Sequence, residues 1–156
     1  MFRKLAVFCF FFVVVHGGLG AQNISLPAPR NIINKTGKKI HAYAKNNGLV
    51  FLKQENHDGI VSVTFKSPDK AIVCQFLLRK SKFAGRKKCF SYHLTLSDKN
   101  AFERLTDQIA QVCTKKIDQN RCQQYDGKMH YMWYYSGSNE SAFYTITCQK
   151  RRYWGF

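Results

Sequence analysis

The stretch Ser97-Asp98-Lys99-Asn100-Ala101-Phe102-Glu103-Arg104-Leu105-Thr106-Asp107-Gln108-Ile109-Ala110-Gln111-Val112-Cys113 decides the fold, because here the apolar period changes. Phe102, Leu105, Ile109, Val112 and Cys113 fall on one stripe of an α-helix, whereas most of the remaining chain has the period of strands. Ser97 or Asp98 is placed to cap the start, and the helix is expected over about residues 98–116. Such a helix has one apolar side to cover.

Working outward, the flanks read as strands and turns. Ile60 to Lys66 alternates Val61, Val63 and Phe65 against Ser62, Thr64 and Lys66, the pattern of a half-buried strand. Pro68-Asp69-Lys70 makes a turn. Ala71 to Leu78 is apolar on both faces and is expected centrally in a sheet, and Phe90, Tyr92, Leu94 and Leu96 share one face of a further strand. Nearer the N-terminus, Lys39–Lys45 and Leu49–Gln54 flank Asn46-Asn47-Gly48, which reads as a hairpin because Asn and Gly accept positive φ. After the helix, residues 128–135 and 142–150 return to strand composition around Ser136-Gly137-Ser138-Asn139. The expected fold class is α+β, a single domain with a mainly antiparallel sheet and the amphipathic helix packed on one face.

Residues 1–20 have the layout of a cleaved signal peptide. Arg3 and Lys4 precede the apolar run Leu5–Val15, and small residues follow at Gly17-Gly18-Leu19-Gly20-Ala21. Eleven apolar residues are about half of the roughly 20 that a bilayer-spanning helix needs. Residues 21–37, with Pro27, Pro29 and Gly37, are expected to be an extended N-terminal segment, and residues 38–156 the α+β domain. A secreted or periplasmic protein follows from the leader.

Cleavage would remove Cys9 and leave Cys74, Cys89, Cys113, Cys122 and Cys148 as disulfide candidates. Cys74 and Cys89 flank one predicted hairpin, so a bridge is expected between them. Among the other three, one bridge and one free thiol are expected, with the pair left open. No C-x-x-C or other metal-ligating spacing occurs, and no cofactor motif, nucleophile elbow, phosphate-binding glycine loop or paired-carboxylate signature is present. The expectation is a protein without metal or cofactor.

Charge is the strongest functional signal. The chain has 25 Lys plus Arg against 9 Asp plus Glu; losing Arg3 and Lys4 with the leader leaves 23 against 9, a net +14. A small domain needs only about 2 to 8 charges for solubility. Arg79, Lys80, Lys82, Arg86, Lys87 and Lys88 are clustered with no acid among them, and Lys150, Arg151 and Arg152 form a second run. These nine residues are the expected polyanion-binding set, contacting a glycan, nucleic acid or acidic lipid. Tyr131, Trp133, Tyr135 and Trp154 are a candidate aromatic patch for the same partner. Two other classes stand beside this one. A secreted effector or inhibitor would act through a protein–protein interface with an acidic protein. A small ribonuclease-like hydrolase would draw on His41, His57, His93 and His130, which no motif links.

Overall fold

The computed structural model describes residues 26–80, 85–137 and 143–151. The leader, Lys82, Arg152, Trp154 and the tip of the predicted hairpin at Ser138-Asn139 lie outside them. The described residues form one antiparallel sheet of eight strands with three helices. In chain order these are α1 (Pro29–Ile32), α2 (Gly37–Asn46), β1 (Val50–His57), β2 (Ile60–Lys66), β3 (Ile72–Lys80), β4 (Lys87–Leu96), α3 (Lys99–Val112), β5 (Lys115–Asp118), β6 (Arg121–Asp126), β7 (Met129–Ser136) and β8 (Tyr144–Lys150). The strands are ordered β1-β2-β3-β4-β8-β7-β6-β5. Among the described residues a four-stranded meander follows α1 and α2, a second follows α3, and β4 pairs with β8 where the two meet.

One sheet face is buried and carries the aromatic core. Phe65, Phe76, Tyr92 and Trp133 run across the strands with successive ring centroids 5.8, 6.2 and 6.0 Å apart, and the exposed Phe51 of the edge strand extends the row at 5.8 Å from Phe65. Three of these four contacts are edge-to-face, the arrangement that the ring quadrupoles favour. Ile32, Ile40, Leu94, Leu105, Ile109 and Ile146 are buried in the same cluster. Burying one such side chain contributes about 1.5–3 kcal/mol, so this face holds the fold together. The N-terminal segment is tied in by the Tyr92 hydroxyl, which donates to the Pro27 carbonyl at 2.7 Å.

Several expectations are corrected. Residues 37–46 form a helix and not a strand, because Ile40, Tyr43 and Ala44 lie on one stripe at spacings of three and four. The positive-φ signal at Asn46-Asn47-Gly48 closes that helix and makes no hairpin. Gly48 has φ 69°, its N–H donates to Lys45 O at 3.1 Å, and the Leu49 N–H donates to Ala44 O at 2.9 Å, which is a Schellman cap. Within the expected extended segment, Pro29–Ile32 makes a helical turn with Pro at its start. Helix α3 occupies Lys99–Val112 and is one of three; the Asp98 side chain accepts from the Asn100 N–H at 2.9 Å, and Lys115 and Lys116 already belong to β5. The sequence reading also missed the β5–β6 hairpin. A bulge between Leu77 and Leu78 takes Phe90 out of register, so that Cys89, Tyr92, Leu94 and Leu96 share the buried face.

The cysteines pair differently from expectation. Cys74 and Cys89 are both free and buried. Cys74 pairs with Leu94, while Cys89 pairs with Leu78, four residues further along β3. That offset separates them by roughly 13 Å, beyond the ~7 Å between Cα atoms that a bridge tolerates. The disulfide is Cys113–Cys122, with Cα atoms 5.8 Å apart, and it fastens the end of α3 to β6. Cys148 is the free thiol of the remaining three and is buried too. A non-reducing peptide map should recover Cys113 linked to Cys122, with Cys74, Cys89 and Cys148 alkylated only after denaturation; native-state labelling of all three would contradict their burial. Gly48→Ala should lower stability by about 1 kcal/mol in urea denaturation, since only glycine adopts this φ without strain. An unchanged midpoint would mean that residue 48 does not close α2 in this way.

Candidate functional site

The opposite sheet face carries polar side chains that are mostly half-exposed. Register places Thr64, Gln75, His93, Thr147, Tyr134 and Arg121 side by side across six strands. All six are polar or charged. His93 Nδ1 lies 2.8 Å from Thr147 Oγ1, and its Nε2 lies 3.4 Å from Ser91 Oγ. In the adjoining rows, Gln75 Nε2 donates to Ser62 Oγ at 2.8 Å and Gln149 Nε2 donates to the Tyr134 hydroxyl at 3.0 Å. Burial pushes the His93 imidazole below its ordinary pKa, which favours the neutral ring.

The basic hairpin is built as two cross-strand pairs, Arg79 with Lys88 and Lys80 with Lys87. Because successive side chains alternate, the two pairs belong to opposite faces, and these four cations do not make one continuous surface. Lys80, Arg86 and Lys87 are exposed, while Arg79 and Lys88 are half-buried. Like charges directly opposite one another are locally unfavourable in a sheet. Among the described residues, the three ion pairs are Lys53–Glu55, Lys99–Glu103 and Arg121–Asp118, so none neutralises the hairpin.

Arg79 lies beside the second basic run as well as opposite Lys88. Its guanidinium lies 4.8 Å from the centroid of the Phe90 ring. Phe90 is available there because the bulge removes it from the core face. Arg79, Phe90, Met132, Tyr134, Gln149, Lys150 and Arg151 line a concavity of about 420 Å³. This brings together one residue of the first basic run and both described residues of the second. The Arg151 N–H donates to His130 O at 2.9 Å, which holds the second run against β7.

A second concavity of about 750 Å³ adjoins the first at Tyr134. The β5–β6 turn supplies Asp118, Gln119, Asn120 and Arg121, and β7 and β8 supply Tyr135, Ser136, Thr145 and Thr147. Asp118 accepts from the Asn120 N–H at 2.9 Å and from Arg121, and these bonds hold its carboxyl below the usual carboxylate range. Sequence reasoning missed this end of the groove; its available signal was the Asp-x-Asn turn pattern at Asp118–Asn120.

The candidate aromatic patch is corrected. Tyr131 and Trp133 are buried in the core, since Trp133 opposes Cys122 and Cys148 on the apolar face, and Tyr135 packs against the same cluster. The exposed side of β7 is the one bearing Met132 and Tyr134. The histidines also lie apart. His41 contacts Phe51 and Phe65 from α2, His57 stands at the end of β1, and His130 packs on Tyr125. His93 and His130 share a face but are roughly 15 Å apart on strand geometry. Burial pushes the Cys74 and Cys89 thiols up to about 12, and it also raises Cys148, so all three are held as unreactive thiols. Among the described residues, no group of His, Cys, Asp or Glu is arranged to hold a metal ion. Comparison with protein families, curated proteins and solved structures finds no match to this chain.

The depressed His93 pKa has a consequence for stability. The unfolded imidazole takes up its proton near pH ~6.5, before the folded one does. Stability from this group is therefore fully present above that pH and falls as pH drops towards the lower folded value, because unfolding binds a proton. Urea denaturation at about pH 7.5 and about pH 5.5 should show a smaller pH difference for His93→Gln than for the parent chain. An identical difference in both proteins would remove His93 as its source.

Proposed function

We propose that this is a secreted or periplasmic basic binding protein that contacts an anionic partner through its cationic hairpin and the groove beside it, without catalysis. The observation that carries this reading is the meeting of Arg79 with Lys150 and Arg151. Residues about seventy positions apart in sequence line one concavity that has no acidic side chain in its wall. Cations held by strands lose less entropy on binding than cations on a free tail. The like-charge pairs Arg79–Lys88 and Lys80–Lys87 fit the same reading, since they cost stability and so call for a reason other than folding. The leader and the Cys113–Cys122 disulfide support an oxidising compartment outside the cytoplasm. In this reading α3 packs on the buried face of the sheet through Leu105 and Ile109, leaving the groove on the face away from it.

A protein–protein role is the second reading, favoured by the edge strand β1. Val50, Phe51 and Leu52 are exposed there at 48%, 49% and 46%. An edge strand with an apolar segment can pair with another chain, although Lys53 and Glu55 and the bulge after Phe51 oppose this. The hydrolase reading has no comparable support, because the four histidines sit on separate elements.

Binding of a heparin-like glycan, RNA, DNA and anionic vesicles at two salt concentrations tests the proposal. Replacing Arg79, Lys87, Lys88 and Arg151 together by Gln should weaken binding at least about ten-fold and flatten the salt dependence, by roughly 0.7–0.9 in slope for each phosphate-type interaction removed. Urea stability should hold or rise slightly, because these cations make no ion pair among the described residues and their replacement removes the two opposed like-charge pairs. A folded variant with the parent affinity and slope would exclude this surface as the binding site.

A further inference from the structure

The two concavities on the polar face meet at Tyr134, and their walls differ in a way that discriminates between anionic polymers. At one end, Arg79, Lys150 and Arg151 supply cations with no carboxylate beside them. At the other, amides and hydroxyls such as Gln119, Asn120 and Thr145 surround the Asp118–Arg121 ion pair.

A nucleic acid presents a phosphate at every step and gains affinity by stacking its bases on aromatic rings. Laid along this groove, it would bring phosphates to the Asp118 carboxylate, which its hydrogen bonds from Asn120 and Arg121 keep ionised. Its bases would compete for Phe90 with the guanidinium already placed over that ring. An acidic sugar chain whose charged groups are spaced between uncharged sugars meets neither conflict. Sulfate or carboxylate groups pair with guanidinium and ammonium, while sugar hydroxyls donate to a carboxylate or amide oxygen and accept from amide N–H groups. The wall therefore matches a ligand charged in one part and hydroxyl-rich in the next.

The geometry points to an acidic oligosaccharide lying across β8 and β7, with its sulfate or carboxylate groups at Arg79 and Arg151 and its hydroxyls at Asp118, Gln119 and Thr147. This rests on the anion-binding reading above and narrows the partner to a glycan.

The test compares a partially desulfated heparin hexasaccharide, in which charged sugars alternate with hydroxyl-rich ones, with a single-stranded RNA of equal charge, each titrated against the mature chain and three variants. Arg79→Gln combined with Arg151→Gln should weaken both ligands. Asp118→Ala should weaken the hexasaccharide at least about ten-fold, as expected for removal of one charge-assisted hydrogen bond. RNA binding should hold or tighten in this variant, because a negative charge is gone. The opposite signs separate a hydroxyl acceptor from a repelling charge. Gln119→Ala, on the exposed turn, reports on the same end without touching the hydrogen bonds that Asp118 makes, and should also weaken the hexasaccharide. If both single variants bind the hexasaccharide as tightly as the parent, or if RNA binds the parent more tightly than the hexasaccharide does, the glycan assignment is overturned while anion binding stands. If the parent binds neither ligand, the anion-binding reading itself falls.

Discussion

Six residue pairs between β4 and β8, from Ser91–Gln149 to Leu96–Tyr144, make the ladder that joins the two four-stranded meanders. Without that ladder each meander would have an open edge and half a core. The seam is closed on its buried side by the row Phe76, Tyr92, Cys148 and Trp133, one residue from each of four adjacent strands. Cys148 is the small member of that row, between two large rings whose centroids are 6.0 Å apart. Cores interdigitate by setting small residues against large ones, and a larger side chain here would force the rings apart. The thiol therefore acts as a small apolar spacer, and its lack of a disulfide partner follows from its place in the row.

What could be read from the sequence follows the strength of each periodic signal. Ile60–Lys66 alternates strictly and forms β2 over those same residues, and the stripe from Phe102 to Val112 forms α3. Helix α2 was hidden because its stripe is short and Asn46-Asn47-Gly48 has the same chemistry in a hairpin and in a helix cap. Positive φ was legible there; the element it closes was not. The β5–β6 hairpin escaped notice because Lys115 and Lys116 lie on an edge strand, where charged side chains guard against pairing and erase the apolar alternation. The Cys74–Cys89 pairing failed because sequence distance around a hairpin does not give register, and even with the bulge at Leu77/Leu78 Cys89 opposes a residue four places from Cys74.

For the candidate site, the cationic residues were legible and their grouping was not. Composition marks both basic runs, since no acid interrupts either. Alternation then divides the hairpin between two faces, and among its described cations only Arg79 lines the groove with the C-terminal run. The far end of the groove was invisible for a different reason. Polar turn residues and outward-facing threonines are what any solvated sheet face would carry, and only the register of β6, β7 and β8 brings them beside the cations.

The position of the groove follows from an interruption in the same seam. Pairing of β4 with β8 stops at Ser91–Gln149, although both strands continue. Beyond that point the edge of β4 is taken by the N-terminal segment: the Asn34 N–H donates to Cys89 O and the Cys89 N–H donates to Lys35 O, each at 2.8 Å, and Thr36 bridges to Lys88. Strand β8 meanwhile continues against β7 alone, through Tyr131–Lys150. A chain segment accommodated between two strands must spread them, because each ladder needs about 4.8 Å of its own. Arg79 and Phe90 lie on one side of this divergence, and Lys150 and Arg151 on the other. The cations are thus brought close across a split in the sheet without being adjacent in a ladder. Segment 34–36 occupies the backbone groups that would otherwise close the split, so the groove depends on an N-terminal stretch that contributes none of its lining residues.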